Sequence, residues 1–328
     1  MQRHISYPDA VAAVRTSQQL RRAGLTEREI ARQVAHGVLH RIQRNRYVSG
    51  ELWTTLWPES RQLLLVGAAV AEMRSDGGVM SYESAGALWN LPFYRHDSAA
   101  VHATLATGAD ASSRPGLRRH RDRLDDADIT VLGGVRCTTL ERTAFDLART
   151  LKIEAAIAAV DAALRQAAAN GRRYDRVLAD AWRERMLERR ARARGARGVR
   201  QAEVVIRFAD GRAESPGESV SRWQLTEIGF QQLRLQVPVT GPGGATYYVD
   251  IEIEDADAFF EFDGAGKYLD PTQGSDRTMK QVLLGEKRRE DWIRGTTQKR
   301  FVRAESSHIT SVEALARRLR AFGIMPPR

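Results

Sequence analysis

The chain has 328 residues, of which 42% are hydrophobic and 28% charged, an ordinary composition for two or three globular domains. It has no apolar run of about 18 residues and no charged-then-apolar amino terminus, so we expect neither a membrane span nor a secretory signal. Cys137 is the single cysteine, which excludes disulfides and cysteine-built zinc sites within one chain and makes a reducing cytoplasm the expected compartment.

The formal net charge of +10 is unevenly distributed along the chain. Residues 1–213 contain 35 Lys and Arg against 24 Asp and Glu, whereas residues 214–328 contain 16 against 17. Within the basic part, the excess is concentrated in two separate segments, 1–50 and 181–213. Such clusters favour a polyanionic partner, in the first place nucleic acid, over a general enrichment in arginine from a GC-rich genome.

The amino-terminal segment predicts two helices followed by a two-stranded ribbon. The first helix covers 16–23, and a capping box that starts at Thr26 begins the second, which extends through His36. Residues 38–48 alternate apolar and polar side chains on both sides of a central turn, as a basic hairpin does. Two helices and a basic hairpin in this order predict a winged helix-turn-helix.

In a winged helix-turn-helix the second helix lies in the major groove and the hairpin contacts the phosphate backbone. Arginine and glutamine are suited to the edges of guanine and adenine, respectively. The candidate base-reading residues are Arg28, Arg32, Gln33 and His36, and the candidate phosphate-contacting residues are Arg41, Arg44 and Arg46. The alternative is a winged helix that contacts protein and has a solvated arginine face. We expect His36 and His40 at the surface rather than on a metal.

Residues 56–180 predict a mixed α+β domain with its own core. Helices are expected over 63–73, within 79–91, over 139–149 and over 154–169, and short strands over 101–105, 116–120 and 129–135. No nucleophile stands at a recognisable spacing from a base, so Ser81, Glu83 and Ser84 are interpreted as capping and packing residues. We expect a structural or partner-binding role for this domain.

Eight arginines and two acidic residues lie between positions 183 and 200. The segment is either the basic end of a long helix or a flexible linker, and Gly195 and Gly198 favour a flexible end. Its arginines are either solvated or contact phosphates without sequence preference.

The segment 214–328 predicts the element order αβββαβα. Ser215-Pro216 begins the first helix through a capping box and a proline at the first helical position, and Gly229 ends it. Three strands, a basic helix, a strand and a closing helix are expected over 231–239, 247–254, 259–263, 276–294, 301–304 and 312–322. We therefore expect an α/β domain with acidic residues on its central hairpin.

The acidic hairpin is the most informative part of this segment. If 254–257 form a four-residue turn, Asp250 and Glu261 face each other with their Cβ atoms roughly 4.5 to 5.5 Å apart. Seven acidic residues and no Lys or Arg occur from 250 to 263, a crowding of charge that is unfavourable unless water or a metal relieves it. The pair either shares one divalent cation or belongs to a solvated acidic edge.

A helix-borne Glu218, strand-borne Asp250 and Glu261 and a helix rich in Lys and Arg, in this order, resemble the PD-(D/E)XK superfamily of restriction-endonuclease-like proteins. Glu261-Phe-Asp-Gly264 is similar to the very-short-patch-repair-like branch, and the resemblance covers roughly 214–320. It implies Mg²⁺ or Mn²⁺ held by Asp250 and Glu261, assistance from Glu218, and metal-assisted hydrolysis of phosphodiester bonds.

The chain departs from the superfamily pattern at Asp263, which stands two residues after Glu261 where a lysine is expected. That lysine would orient or deprotonate water and stabilise the developing charge. Lys267 or Lys287 could supply the positive charge from another direction, or Asp263 could be a third metal ligand. The remaining alternative is a site that has lost its activity, in a domain that only binds nucleic acid or a partner.

Residues 10 to about 165 resemble the abortive-infection type IV antitoxin (AbiEi) family. The resemblance is carried by Gly-Leu-Thr at 24–26, by Ser-Tyr-Glu-Ser-Ala-Gly-Ala-Leu-Trp-Asn-Leu at 81–91 and by Thr-Leu-Glu-Arg-Thr-Ala-Phe-Asp-Leu-Ala-Arg at 139–149. It implies a DNA-binding antitoxin that represses its own operon and acts with a cognate toxin.

The sequence thus predicts a multidomain α/β protein. Its expected segments are a winged helix-turn-helix in 1–55, a mixed α+β domain in 56–180, an Arg-rich linker or helix end in 181–213 and a restriction-endonuclease-like α/β domain in 214–328. We expect the protein to bind double-stranded DNA and to carry a Mg²⁺-dependent endonuclease-like site, with a role in phage defence. The alternative is an antitoxin and transcriptional repressor whose nuclease-like domain is catalytically silent.

Overall fold

The structure, a computed structural model, describes residues 3–73, 78–97, 100–105, 113, 115–264 and 279–327. The chain divides into two units. Unit 1 consists of Met1–Ala163 and Asp180–Phe208, and unit 2 of Leu164–Ala179 and Ala209–Arg328. Each unit combines helices with a sheet, which agrees with the predicted α/β class. Within the described ranges, no helix combines the length and the hydropathy that crossing a membrane requires.

The amino-terminal part of unit 1 contains the predicted helices and hairpin. Its elements are α1 (Tyr7–Ala13), β1 (Arg15–Thr16), α2 (Ser17–Arg22), α3 (Glu27–Ala35), β2 (Leu39–Gln43), β3 (Arg46–Ser49) and α4 (Gly50–Thr55). The strands form an antiparallel sheet in the order β1-β3-β2. The Thr26 hydroxyl accepts from the Glu29 N–H at 3.3 Å and Glu29 accepts from the Thr26 N–H at 2.8 Å, so the predicted capping box is present.

The rest of unit 1 is built around a mixed sheet with the strand order β6-β5-β4-β8-β7. The elements are α5 (Pro58–Val70), β4 (Val79–Met80), α6 (Tyr82–Leu88), β5 (Val101–Thr104), β6 (Leu117–His120), β7 (Ile129–Leu132), β8 (Val135–Thr138), α7 (Leu140–Thr150) and α8 (Ile153–Ala168), of which the part from Leu164 onward belongs to unit 2. The single strand predicted over 129–135 is instead a hairpin. Its turn is formed by Gly133 and Gly134, whose φ angles of 54° and 80° suit a tight two-residue turn.

The Arg-rich segment is helical on both sides of a glycine-containing turn. It follows the short antiparallel hairpin of β9 (Ala169–Asn170) and β10 (Arg173–Tyr174) and comprises α9 (Arg176–Arg192) and α10 (Val199–Phe208). Arg185 pairs with Glu141 at 2.8 Å, and Arg189 pairs with Asp128 at 2.6 Å. These ion pairs make both arginines less available to phosphate than the arginines of a solvated linker, although Arg185 is itself exposed.

Unit 2 shows the predicted order αβββαβα. Its elements are α11 (Pro216–Ile228), β11 (Leu233–Thr240), β12 (Thr246–Ile253), β13 (Ala258–Phe262), α12 (Met279–Thr297), β14 (Arg300–Ala304) and α13 (Val312–Ala321). The strands lie side by side in chain order, with β13 and β14 parallel and the other pairs antiparallel. Ile293 of α12 packs with Val249, Phe259 and Phe301 of the sheet, while α11 contacts β13 and α13.

Helix α11 has the predicted Ser215 cap and the predicted end at Gly229, but the Glu218 carboxylate binds the N–H of Glu214 and not that of Ser215, so the predicted capping box forms only in part. The Ser215 hydroxyl accepts from the Glu218 N–H at 3.2 Å, and Pro216 lies in the first turn. The Glu218 carboxylate accepts from the Ser215 hydroxyl and from the Glu214 N–H, both at 2.9 Å. Gly229 ends the helix with a φ of 116°, a conformation that glycine adopts without strain. Glu218 is therefore firmly positioned at the start of α11.

The close packing of the first turn of α11 against Phe262 can be tested by substitution. A Cβ added at Gly217 would lie 2.0 Å from a ring carbon of Phe262. We expect Gly217→Ala to lower the free energy of unfolding by about 1–3 kcal/mol, because the ring or the helix must shift. Gly285→Ala in α12 is the matched control, since nothing lies within 4 Å of its added Cβ and alanine stabilises a helix by about 0.5–1 kcal/mol over glycine. Urea denaturation measures both, and equal effects would contradict the close approach.

Candidate functional site

The acidic hairpin has the register that the sequence predicts. The paired residues are Ile253 with Ala258, Glu252 with Phe259 and Ile251 with Phe260. The turn is the 3-10 segment Glu254–Ala256 followed by Asp257 at a φ of 45°. The same register, extended by one residue, places Asp250 opposite Glu261, and the Phe262 N–H donates to the Asp250 carboxylate at 2.9 Å. The two carboxylates therefore belong to the same end of the hairpin.

A cleft of about 460 Å³ in unit 2 lies at this end of the hairpin. Its lining residues are Arg172, Glu214, Gln236, Thr246, Tyr247, Tyr248, Asp250, Glu261, Phe262, Asp263, Glu286, Arg289 and Arg303. Three residues predicted as metal ligands, Asp250, Glu261 and Asp263, are thus brought to one cavity. The lining also contains three arginines, none of which was predicted as a site residue.

Two of these arginines neutralise the carboxylates. Arg289 of α12 donates to both oxygens of Glu261, at 2.5 and 3.2 Å. Arg303 of β14 lies 3.4 Å from Glu261 and 3.8 Å from Asp263. Burial opposes the charge of Arg289, but hydrogen bonding to Glu261 and the negative charge of that residue raise the pKa of the guanidinium above its usual value. Arg289 therefore stays charged and bound to Glu261.

Protein groups also satisfy the other acidic residues of the hairpin. The pairs are Glu252 with Lys299 and Arg234, Glu254 with Arg234, Asp257 with Lys299, and Asp255 with the N–H groups of Gln231 and Gln232. Glu252 is buried, and its distance to Lys299 is 2.7 Å. The hairpin is therefore not simply a solvated acidic edge. Its charge crowding is relieved by basic side chains from other elements, so crowding alone does not require a metal.

Gln236 is a strained residue beside the predicted ligands. It has a φ of 51° within β11, and its two neighbours pair regularly with β12, which leaves Gln236 opposite Asp250. The residue lines the cleft, and its amide donates to Glu218 at 3.1 Å. A conformation of this kind costs on the order of 1–3 kcal/mol and is concentrated at functional sites. Gln236 therefore links the cap of α11 to the cleft.

The remaining predicted catalytic residues have other positions. Glu218 is only 1% exposed, is not among the described lining residues and contacts one of them, Gln236. Lys287 is exposed on α12 and does not line the cleft either. The cationic residue of α12 that does so is Arg289, two positions later. Lys267 lies outside the described residues.

The donor chemistry of the cleft fits Mg²⁺ or Mn²⁺, which prefer oxygen ligands. Five carboxylates and three guanidinium groups are among the described residues that line it, and one of these carboxylates, Glu214, pairs with Arg165, which does not belong to the described lining. Among the described residues, however, no three His, Cys, Asp or Glu side chains are arranged as ligands of one ion. Since Glu261 is bound by arginine, a metal that used Glu261 would have to replace a guanidinium partner.

The candidate DNA-binding residues of unit 1 lie largely at its surface. The exposed members are Arg28, Arg32, His36, Arg41 and Arg44. Gln33 is half-buried, and so is Arg46, which lies 3.4 Å from Glu72. His40 is not a free surface residue, because it stacks on Trp53 with the ring centres 4.1 Å apart, and burial lowers its pKa. Arg46 is thus already paired with a carboxylate, and the exposed arginines are the stronger candidates for contact with DNA.

Unit 1 also contains a buried polar network around Glu83. One oxygen of Glu83 lies 3.0 Å from His102 and the other lies 3.3 Å from His96. His120 lies 3.2 Å from His102 and stacks on Tyr82 at a ring distance of 4.0 Å. Burial by itself would raise the pKa of Glu83, but the close approach of His102 and His96 to the carboxylate keeps this pKa below its usual value. Glu83 is therefore the charged centre of the network rather than a simple packing residue.

The two serines of this segment were predicted as caps or packing residues. Ser81 occupies the position before α6, but its side chain does not cap the helix. It accepts instead from the Thr104 hydroxyl at 2.9 Å. Ser84 accepts from the His102 N–H at 2.8 Å and from the Gln62 amide at 3.0 Å. Both serines therefore join α6 to its surroundings through side-chain hydrogen bonds.

Sequence reasoning missed Arg172, Gln236, Arg289 and Arg303. The sequence does contain a signal for Arg289. Residues three positions apart share a helix face, so Arg289 lies on the same face of the helix as Glu286, whereas Lys287 lies on a different face. Arg303 is opposite Glu261 in the parallel β13–β14 pairing, a neighbour that local sequence does not specify. Side chains from distant segments were therefore the least predictable part of the site.

No protein-family model matches the chain. The chain is 28% identical over 250 residues to two proteins of Mycobacterium tuberculosis, "Uncharacterized protein MT2308" of strain CDC 1551 and "Uncharacterized protein Rv2248" of strain H37Rv. Each match covers 76% of this chain and 82% of the relative. Neither name states an activity, so the function has to be inferred from the residues of the chain.

The Glu83 network makes the stability of unit 1 dependent on pH. Burial, together with the neighbouring His102, lowers the pKa of His120 to about 4, against 6.5 when unfolded. The unfolded chain therefore takes up a proton that folded His120 rejects, and we expect stability to fall as the pH drops from about 6.5 towards 4. Urea denaturation at pH 7 and pH 5 measures this. His120→Gln should flatten the dependence, and an unchanged dependence would contradict the assignment.

Proposed function

We propose that the protein binds double-stranded DNA through unit 1 and hydrolyses phosphodiester bonds in the cleft of unit 2 with Mg²⁺ or Mn²⁺. The observation that carries this proposal is the meeting of Asp250, Glu261 and Asp263 with Arg289 and Arg303 in one cleft. Carboxylates can hold a cation that activates water, and guanidinium groups can stabilise the charge that develops on a phosphate, so together they can promote hydrolysis of a phosphodiester.

The charge balance of the cleft supports a role for a divalent cation. A surface that only bound phosphate would be basic, because phosphate contacts are made by neutralising positive charge. Among the described residues, the lining of the cleft instead has more carboxylates than guanidinium groups. DNA would approach such a cleft favourably only in the presence of a cation.

The residues of the cleft have distinct roles in this proposal. Asp250 and Glu261 would hold the cation, with Asp263 beside them, and the bound cation supplies activation of water and polarisation of the phosphate. Arg289 and Arg303 replace the missing lysine, since a planar guanidinium binds two phosphate oxygens at once and stabilises the charge that develops on them. Their present pairing with Glu261 keeps both guanidinium groups within reach of the cleft.

Unit 1 supplies the DNA-binding part of the proposal. Helices α2 and α3 and the β2–β3 hairpin follow one another as in a winged helix-turn-helix. Arg28 and Arg32 are exposed on α3, and Arg41 and Arg44 on the hairpin or its turn. The excess of basic residues in 1–213 favours association with a polyanion. Phage defence is the biological role in which a DNA-binding protein with such a cleft would act.

Cleavage of plasmid, linear and single-stranded DNA with Mg²⁺ or Mn²⁺ tests the enzymatic part. We expect Asp250→Asn and Glu261→Gln each to lower the rate at least about 100-fold, because each removes a metal ligand. Glu254→Gln is the matched control, since Glu254 lies on the same hairpin, is exposed and does not line the cleft. Cleavage that persists in EDTA, or that survives both cleft substitutions, would exclude the proposed site.

Binding to DNA from upstream of its own reading frame tests the role of unit 1. We expect Arg32→Ala and Arg44→Ala each to weaken binding about tenfold, with relaxed sequence preference for Arg32 and a smaller salt dependence for Arg44. Fluorescence anisotropy at several salt concentrations separates the two effects. Arg317→Ala, an exposed arginine of unit 2, should bind as the wild type does. Equal losses in all three variants would indicate a general effect of charge.

A second candidate function is that of an antitoxin and transcriptional repressor with a cognate toxin. Two observations favour it: Arg289 engages both oxygens of Glu261, and Asp263 stands where the resembling nucleases have lysine. In that case unit 2 is catalytically silent. Tight, salt-sensitive binding to the promoter without metal-dependent cleavage would establish this function instead.

A further inference from the structure

The β9–β10 hairpin belongs to unit 2, although it precedes the predicted nuclease-like segment by about forty residues in the sequence. Arg165, near the end of α8, donates to the carbonyl oxygens of Gly171 and Gly211, at 3.3 Å in each case, and pairs with Glu214 at 3.0 Å. The Gly211 N–H donates to the Tyr174 hydroxyl at 3.4 Å. These contacts attach the hairpin to the segment that leads into α11.

Arg172, in the turn of this hairpin, lines the cleft. Its guanidinium carbon lies 4.7 Å from the ring centre of Tyr248, a neighbour of Asp250 on β12. Stacking on an aromatic ring restricts the guanidinium plane while its N–H groups can still donate hydrogen bonds. Arg172 is therefore both exposed and partly ordered before any ligand binds.

Charge balance distinguishes Arg172 from the other arginines of the cleft. Arg289 pairs with Glu261, and Arg303 pairs with Glu261 at 3.4 Å and with Glu290 at 3.0 Å. Arg172, by contrast, forms no ion pair with any residue in the described part of the chain. Its positive charge is not neutralised by a carboxylate, so it is the lining guanidinium best able to bind an anion without first breaking an ion pair.

We propose that Arg172, stacked on Tyr248, binds a backbone phosphate of the DNA strand that enters the cleft. This inference rests on the proposed function and adds a substrate contact from a segment outside the nuclease-like region. The carboxylates of the cleft repel a phosphodiester backbone. The positive charge of the Arg172 guanidinium, which pairs with no carboxylate of the residues that the structure describes, offsets that repulsion. A contact with phosphate carries no base information, so the site holds the strand and does not select its sequence.

The test uses the full chain with Arg28, Arg32, Arg41 and Arg44 replaced by alanine. Removal of these exposed arginines of unit 1 makes the contribution of the cleft to binding measurable. Affinity for a short DNA duplex is measured by fluorescence anisotropy with Ca²⁺, which prefers oxygen ligands as Mg²⁺ does, at several salt concentrations. Urea denaturation of each variant confirms that the fold is retained.

In this background we expect Arg172→Ala to raise the Kd about tenfold and to reduce the slope of log affinity against log salt by about 1. Arg172→Lys should keep most of the salt dependence but only part of the affinity, since lysine lacks the planar, stacking guanidinium. Arg173→Ala is the matched control: Arg173 is exposed on the same hairpin, carries the same charge and does not line the cleft.

An unchanged Kd for Arg172→Ala, or an equal loss for Arg173→Ala, would overturn the proposed phosphate contact. If only the proposal of nuclease activity is wrong, the experiments give a different combination of results. In that case the wild type cuts no DNA with Mg²⁺ or Mn²⁺, while Arg172→Ala still weakens binding and Arg173→Ala does not. The phosphate contact would then belong to a DNA-binding protein without nuclease activity.

Discussion

Compensation of the negative charge of the acidic hairpin is the constraint on which unit 2 depends. Seven acidic residues occur from 250 to 263, and like charges on paired strands are destabilising. Basic side chains from other elements relieve them: Arg234 from β11, Arg289 from α12, Lys299 from the segment before β14 and Arg303 from β14. The two buried carboxylates each have two such partners, Glu252 with Arg234 and Lys299 and Glu261 with Arg289 and Arg303, so removing one partner weakens the compensation and removing both leaves a buried charge unpaired, which is costly. The hairpin and its neighbours therefore stabilise each other.

The same ion pairs determine the chemistry that the cleft can perform. Glu261 is 7% exposed and bound by two guanidinium groups, so a ligand reaches it by exchange and not by simple addition. In the proposed reaction, Arg289 and Arg303 would be freed to bind phosphate when Glu261 serves as a ligand of a divalent cation. Metal binding and phosphate binding would then favour each other. The metal would bind Glu261 and the phosphate would bind the arginines, and these groups otherwise pair with each other. In the repressor alternative the exchange does not occur and the ion pairs are purely structural.

Unit 1 shows why net charge by itself is an incomplete guide to a binding surface. The arginines at 185 and 189 belong to the most basic segment of the chain, yet both pair with carboxylates of unit 1. Arg46 of the β2–β3 hairpin likewise pairs with Glu72, whereas Arg28, Arg32, Arg41 and Arg44 are exposed. Composition predicts a polyanionic partner for the whole segment, whereas burial and ion pairing decide which side chains remain available to it. The Glu83 network likewise combines residues that sequence spacing does not connect.

The sequence by itself determined the local structure of this protein: the capping box at Thr26, the Ser215 cap of α11, the order αβββαβα and the register that sets Asp250 opposite Glu261. These features depend on residues a few positions apart, through capping and through the periods of helix and strand. Only the tertiary structure decided which cations meet the acidic hairpin and that Arg172, Gln236, Arg289 and Arg303 line its cleft. The physical reason is that long-range packing selects these partners, and no local pattern records which distant side chain a carboxylate will contact.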